Sequence, residues 1–288
     1  MASGASSRSP EGSGSPHARL CCSAITFDFG NTLVRVDQLG LRAIIELTAD
    51  VLAARGILVD RTGFIRAWAE ERDRQFREDV PEMREADIYQ RAVRVLARLR
   101  GMAAPAHDVR WDDRAAGALV ALEETGVVFE AYGAAFVDRM TPVADAGSTL
   151  ERLAGRGFVL GILSNWPLAL TIDRFADAQG WTRHLRAIVV SQRVGTIKPH
   201  VSIFRAAETA LGVDAGHGIL HVGDDWAADV VGASQAGWRT AYLRDRPGDS
   251  PLPRSQPGDG ADDAPPVVAD LEIDELAALD ALVEVAAA

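Results

Sequence analysis

The sequence predicts an α/β protein, a doubly wound parallel sheet carrying a smaller all-helical domain, and three observations predict it. From residue 141 onward, short apolar runs alternate with helix-length segments, a rhythm that implies parallel strands joined by right-handed crossovers. Residues 38–140 keep a helical period throughout and hold no convincing strand. The apolar runs empty into Asp28, Ser164 and Asp224, with Lys198 in the loop behind another run. Ligands of such sheets bind beyond the carboxyl ends of the strands.

The elements follow in order. Residues 1–22 open with Ser, Gly and Pro in quick succession and have no apolar core of a secretory signal, so a disordered tail is expected. Ala24 to Phe27 form a buried strand that runs into the loop Asp28-Phe29-Gly30-Asn31-Thr32. Helical faces then follow on Leu41, Ile44, Ile45, Val51 and Leu52, on Phe64, Ile65, Trp68 and Phe76, and on Ile88, Ala92, Val95, Leu96 and Leu99. A fourth carries Trp111, Ala115, Leu119 and Leu122, and a weaker fifth spans Phe129 to Met140. Beyond Thr141-Pro142 the reading is helix 146–155, strand 158–163, helix 167–179, strand 187–190, helix 200–211, strand 219–222, a helix to about 236 and strand 239–243. Residues 245–266, rich in Pro, Gly and Asp, read as a loop insertion, followed by strand 267–269 and helix 273–286. The core is therefore assigned to 23–37 and 141–288, and the helical domain to 38–140.

Composition limits the function. The 288 residues carry a net charge of −11 with 48% hydrophobic and 25% charged residues, enough for a large core and too apolar for a disordered chain. Such an acidic surface repels nucleic-acid phosphates and anionic lipid, so neither is an expected partner. No stretch approaches the length of a membrane span. The two cysteines, Cys21 and Cys22, are neighbours and make a poor staple, which points to a reduced, cytoplasmic protein. Of the 30 basic residues only Lys198 is lysine. Coding bias explains the arginines; a lone lysine beside other chemistry suggests a place where a compact ammonium is needed.

Asp28, Ser164, Lys198 and Asp224 converge on one sheet edge. Two carboxylates about 4 Å apart repel by roughly 4 kcal/mol at an effective dielectric of 20, and Asp229 adds to the repulsion, so either a proton or a cation must sit there. Oxygen-only ligands on loops suit Mg²⁺, and the lack of nearby cysteine or paired histidine argues against zinc. Asp28 as a metal-bound carboxylate can attack phosphorus, Mg²⁺ and Lys198 can neutralise the phosphoryl oxygens, and Ser164 can bind the phosphoryl group. Each residue also has a plainer role. Asp28 can cap a loop, Ser164, Asn165 and Asp225 can cap helices, and Asp229 can form a structural ion pair. His221 in an apolar strand reads as a core histidine, Trp68 and Trp111 as helical core, and the arginines of 55–114 mostly as a solvated face.

The segments FDFGNTL (27–33), ILSNW (162–166), IKPHVSIF (197–204) and HVGDDWAADVVGASQAGW (221–238), in this order and spacing, resemble the four motifs of the haloacid dehalogenase-like hydrolase superfamily. The resemblance covers 24–36 and about 141–286 and implies a Rossmann-like core, with 38–140 in the position of the usual cap. It implies Asp28 as nucleophile and metal ligand, and Ser164 and Lys198 as holders of the phosphoryl group. It also implies Asp224 and the Gly30 carbonyl as Mg²⁺ ligands and Asp229 as a support for the metal shell or Lys198; Asn165 is a further candidate for substrate contact. The expected activity is that of a Mg²⁺-dependent phosphatase on a small phosphorylated metabolite.

One position departs from the pattern. Family phosphatases usually carry a general-acid aspartate where this chain has Gly30. Such a group contributes 10²–10⁴-fold, so the enzyme is expected to be slow, to favour good leaving groups, or to borrow Asp37, His200 or His221. Two alternatives remain at this point: a metal-independent 2-haloacid dehalogenase, with Arg35 or Arg42 gripping a carboxylate, and a low-activity regulatory protein that binds Mg²⁺ and phosphate. The absence of lysine from 38–140 argues against Schiff-base phosphonate cleavage.

Overall fold

The computed structural model describes residues 19–213, 218–257 and 267–286. Its centre is β2 (Ala24–Phe27), four residues that are all buried, as the uninterrupted apolar run demands of a strand covered on both faces. With β5 (Val159–Ser164), β6 (Leu185–Val190), β7 (Ile219–Gly223), β8 (Arg239–Leu243) and β9 (Leu271–Ile273), it forms a six-stranded parallel sheet in the order β6-β5-β2-β7-β8-β9. Helices α6 (Ala146–Gly155), α7 (Ala169–Ala178), α9 (Val201–Leu211) and the short α8 (Ser191–Val194) and α10 (Gly232–Gln235) connect the strands. No helix among the described residues is long and apolar enough to cross a membrane.

The register explains why distant residues meet. Phe27 of β2 lies level with Ile162 on one side and Val222 on the other. Asp28 therefore leaves the sheet abreast of Leu163 and Gly223, and Ser164 and Asp224 lie one residue, about 3.3 Å, beyond.

Between β3 (Val34–Arg35) and β4 (Thr141–Pro142), which pair antiparallel, the chain makes a helical excursion. It consists of α1 (Gln38–Ala54), α2 (Arg61–Asp79), α3 (Ile88–Leu99), α4 (Asp113–Gly117) and α5 (Leu122–Arg139). Asp37, Asp60, Asp87 and Asp112 cap the first four by accepting backbone N–H groups, each cap worth about 1 kcal/mol. Trp68 and Trp111 are buried as expected.

Several expectations need correction. Residues 1–18 of the expected tail lie outside the described residues, but Leu20–Cys22 is a strand (β1) pairing in parallel with β10 (Val283–Val285). Helix 273–286 is instead a 3₁₀ turn over Leu276–Ala278, α11 (Leu279–Leu282) and β10, and the last sheet strand falls on 271–273 rather than 267–269. The expected fourth helix stops at Gly117, and α5 begins early, at Leu122. The helix after β7 opens as a π-helical turn, Trp226–Val231. The arginines of α2 and α3 are not all solvated: Arg74, Arg91 and Arg94 are buried where the two helices pack. Arg74 and Arg94 reach Glu78 or Asp113, since a buried charge requires a partner.

Candidate active site

Lys198 is the hub of the sheet edge. Its ammonium, 2% exposed as a residue, donates to Asp28 Oδ1 (2.9 Å), Asp229 Oδ1 (2.6 Å) and the Leu163 carbonyl (2.9 Å), which accounts for all three protons. Burial alone would lower its pKa, but the charges of Asp229 and Asp28 outweigh this and hold it above the ordinary range. A guanidinium could not place three donors in this tripod, so the single lysine stands where its geometry is required. Burial works against the Asp229 carboxylate, yet Lys198 and His221 together hold its pKa below the usual range. Asp28 is raised, because burial and Asp229 prevail over Lys198.

Asp229 folds back from the π-helical turn so closely that a Cβ on Gly223 would lie 2.1 Å from its Oδ2. Glycine at the end of β7 is thus required by the approach. Asp229 Oδ2 accepts the Asp225 N–H at 2.9 Å, and Oδ1 accepts from Lys198 and His221. His221 is neutral, its pKa lowered by burial and by Lys198. Its Nε2–H donates to Asp229 Oδ1 (3.1 Å), and Nδ1 accepts the Thr26 hydroxyl (2.8 Å), a tautomer assigned from this network. His221 is therefore a core histidine. His200 is exposed and caps α9, Asp37 caps α1, and Asp225 caps the π-helical turn while binding Ser255. Of the three groups considered for the missing acid, Asp37 and His200 serve as caps, His221 is bound to Asp229 and Thr26, and none lines the cavity.

Other expected residues are placed less simply. Asn165 lines the cavity, but its amide is spent on the backbone of Lys198: Nδ2 donates to the carbonyl (2.9 Å), and Oδ1 accepts the N–H (2.7 Å). It positions the lysine loop rather than reaching outward. The Ser164 hydroxyl is buried with no hydrogen-bond partner among the described residues and is absent from the cavity wall.

Asp224 holds the residue that sequence reasoning missed. Its Oδ2 accepts Arg246 Nη1 at 2.9 Å, both side chains being almost fully buried, and Oδ1 accepts the Thr32 hydroxyl at 3.3 Å. Arg246 begins a strap over 245–257, the described part of the expected loop insertion. The strap is tied down by Arg246 to the Leu252 and Pro253 carbonyls, by Asn31 to Ser250, and by Ser255 to Asp225. Leu252 fills the space beside Gly30, where a Cβ would lie 2.7 Å from its Cδ1. Applying the strand-end rule to β8 would have flagged Arg246, three residues beyond Leu243.

Oxygen atoms of Asp28, Asp224 and Asp229 lie within 4.8 Å of one another. Burial and the charges of Asp28 and Asp229 raise the Asp224 pKa even with Arg246 alongside. Three carboxylates thus face two side-chain cations, and the hard oxygen donors suit a divalent ion such as Mg²⁺. Asp229 is held by Lys198, His221 and the Asp225 N–H, so Asp28, the Gly30 carbonyl and an Asp224 released by Arg246 are the groups that would hold it.

A cavity of about 970 Å³ lies over these residues, between the sheet edge and the helical excursion. Glu85 lines it, and burial pushes the Glu85 pKa up to about 7 against the opposing pull of Ser191 and the Ala86 N–H. The fold thus favours its neutral form. The stabilisation is present below the ordinary 4.5 and is lost as pH rises through about 7. Glu85→Gln is expected to stabilise the protein at pH 8 by about 3 kcal/mol, with little gain at pH 4.5. Thermal unfolding at the two pH values checks this; an equal shift at both would contradict it.

A buried lysine–carboxylate cluster at the carboxyl edge of a parallel sheet, under a helical excursion, is an arrangement suited to chemistry on a carboxylate nucleophile. A sequence model of the haloacid dehalogenase-like hydrolases matches residues 22–237, and the chain belongs to that family. Among curated proteins it is 29% identical over 114 residues to ribulose-1,5-bisphosphate 5-phosphatase of Halopiger xanaduensis, covering 40% of this chain and 47% of that one. It is 31% identical over 128 residues to pyrimidine 5'-nucleotidase YjjG of Escherichia coli, covering 43% and 56%. The chain spans about half the length of these relatives. A solved 2-haloacid dehalogenase from Pseudomonas syringae matches with a TM-score of 0.57 at 22% identity, over 91% of this chain and 97% of that one. A phosphatase of the family from Thermococcus onnurineus gives 0.51 at 20%, over 89% and 95%. At these identities the structural matches establish the fold alone.

Proposed function

We propose that this hydrolase is a Mg²⁺-dependent phosphatase that releases phosphate from a small phosphorylated metabolite through a phosphoryl-aspartate on Asp28, with residues 38–140 acting as its cap. The observation that carries the reading is the Lys198 tripod. It fixes Asp28, which lines the cavity, through Oδ1 and leaves Oδ2 without a hydrogen-bond partner among the described residues, with Asp224 supplying oxygen donors alongside. Both curated relatives named above act on phosphorylated compounds, which supports the same substrate class.

Asp28 Oδ2 attacks phosphorus as the bond to the ester oxygen breaks, and the departing alkoxide takes its proton from water because Gly30 has none to give. Water then attacks the phosphorus of the aspartyl phosphate, releasing inorganic phosphate and restoring the carboxylate. Lys198 stays charged throughout and neutralises the equatorial oxygens. A bound divalent ion would supply further charge neutralisation at Asp28, Asp224 and the Gly30 carbonyl. Purified protein with Mg²⁺ is expected to hydrolyse p-nitrophenyl phosphate, and Asp28→Asn is expected to abolish this. Turnover that survives the substitution would refute the reading.

Arg246 on Asp224 favours a second reading. A resident cation at that carboxylate is compatible with a site that uses no metal, in which Asp28 displaces halide from carbon 2 of a haloacid and the resulting ester is hydrolysed. Arg35 is exposed, pairs with Asp245 and does not line the cavity, which leaves Arg42 as the carboxylate grip among the two arginines considered. Halide release that persists in a chelator would favour this reading over the first.

A further inference from the structure

The wall of the cavity contributed by the helical excursion carries a guanidinium with no ion-pair partner among the described residues. Arg91, on α3, is 4% exposed and lines the cavity. Its Nε donates to Gln75 Oε1 at 2.9 Å, and its guanidinium lies 5.6 Å from the centre of the Trp68 ring. Neither terminal nitrogen has an acceptor among the described residues, and no carboxylate lies within 4.0 Å.

The nearby acids are committed elsewhere. Both Glu85 oxygens are taken, one by the Ser191 hydroxyl and one by the Ala86 N–H. Asp73 accepts two hydrogen bonds from Arg72 at 2.8 and 3.0 Å. Arg72 also lines the cavity, its charge paired with Asp73. Burial and Arg72 lower the Arg91 pKa to about 10, against the opposing pull of Tyr132, which still leaves the group charged at neutral pH. Tyr132, on α5, is 6% exposed, lines the same cavity, stacks on Trp68 at 5.7 Å, and its hydroxyl has no partner among the described residues. The two terminal nitrogens of Arg91 and the Tyr132 hydroxyl, none with a hydrogen-bond partner among the described residues, therefore line the same cavity. Removing a charge from water without a partner is costly, and a bound anion offsets that cost.

We propose that Arg91 and Tyr132 form a second oxyanion subsite, so that the preferred substrate carries a carboxylate or phosphate at the end remote from the phosphoryl group that meets Asp28. This rests on the phosphatase reading and assigns its substrate class: compounds with two anionic ends joined by a short body. The remote anion accepts from the terminal nitrogens of Arg91 and from the Tyr132 hydroxyl. Trp68, held between Tyr132 and Arg91, fixes the orientation of both.

The test uses full-length protein with Mg²⁺ and non-hydrolysable phosphonates, read by calorimetry. Alkylphosphonates are compared with chains of equal length that end in a carboxylate or a second phosphonate, over two to six carbons. An anionic tail is expected to tighten binding about ten- to hundred-fold, with an optimum at one chain length. In Arg91→Gln the ratio is expected to fall to near one, in Arg91→Lys to keep part of its value, and in Tyr132→Phe to fall part way. The Phe variant carries the test should the Gln variant not fold. Preference for either anionic tail supports the subsite and identifies its anion. Equal binding of charged and uncharged tails, a gain independent of length, or a ratio unchanged in the variants would overturn the subsite and leave the phosphatase reading standing. Binding of no phosphonate at all would overturn both.

Discussion

Replacing Gly30 by aspartate and Leu252 by alanine together is expected to raise kcat for alkyl phosphates by about 10²–10⁴-fold, the usual contribution of a general acid. Phosphate esters with good leaving groups, such as p-nitrophenyl phosphate, should gain far less, because their oxygen departs without a proton. The structure specifies why two substitutions are needed. A Cβ at position 30 meets Leu252 Cδ1 at 2.7 Å, so a carboxyl there competes with the strap for the same space. Gly30→Asp alone is expected to gain little and to loosen the strap. Steady-state kinetics of the single and double variants on the two ester classes test this. A double variant that folds but treats both ester classes as the native protein does would contradict the role assigned to the missing acid.

Arg246→Met is expected to show opposite effects with and without metal. Without metal it leaves Asp224 buried with no cation, and removing one partner of a buried pair costs about 3–5 kcal/mol, so the melting temperature should fall by many degrees. With Mg²⁺ the lost charge is supplied by the ion and much of the stability should return. Affinity for Mg²⁺ is expected to rise about 10–100-fold, since the ion no longer competes with a guanidinium whose interaction at about 4 Å is worth roughly 4 kcal/mol at an effective dielectric of 20. Calorimetric titration and melting curves with and without Mg²⁺ read both effects. Unchanged affinity, with melting curves that respond to Mg²⁺ as in the native protein, would show that Arg246 and a divalent ion do not share Asp224.

The parts of this centre that were legible in the sequence are those a strand delivers. Asp28, Ser164 and Asp224 each end an apolar run, and parallel register carries them to one edge whatever lies between them. Lys198 stood out for a compositional reason, and its tripod explains why arginine does not replace it. What stayed hidden depends on packing between segments that are distant in sequence. Nothing in the run around 246 shows that its arginine turns back onto Asp224, and nothing in α3, where arginines recur at 91, 94 and 98, shows that Arg91 and Arg94 are buried. The present contacts of Asn165 and Ser164 depend on packing in the same way. Their chemistry suits a ligand, but the lysine loop claims one amide, and burial separates the other hydroxyl from the cavity. The chain terminus was misjudged because short apolar stretches at 20–22 and 283–285 acquire meaning only when paired with each other.

The most direct measurement is a crystal structure with Mg²⁺ and beryllium fluoride, which loses a fluoride on bonding to a carboxylate and leaves a trifluoroberyllate adduct that mimics an aspartyl phosphate. The account predicts beryllium bonded to an Asp28 carboxylate oxygen, Lys198 Nζ within hydrogen-bond reach of a fluorine, and a metal ion on Asp28 and Asp224 with Arg246 turned away. Beryllium absent from Asp28, with Arg246 still paired to Asp224 and no ion between the two aspartates, would contradict it.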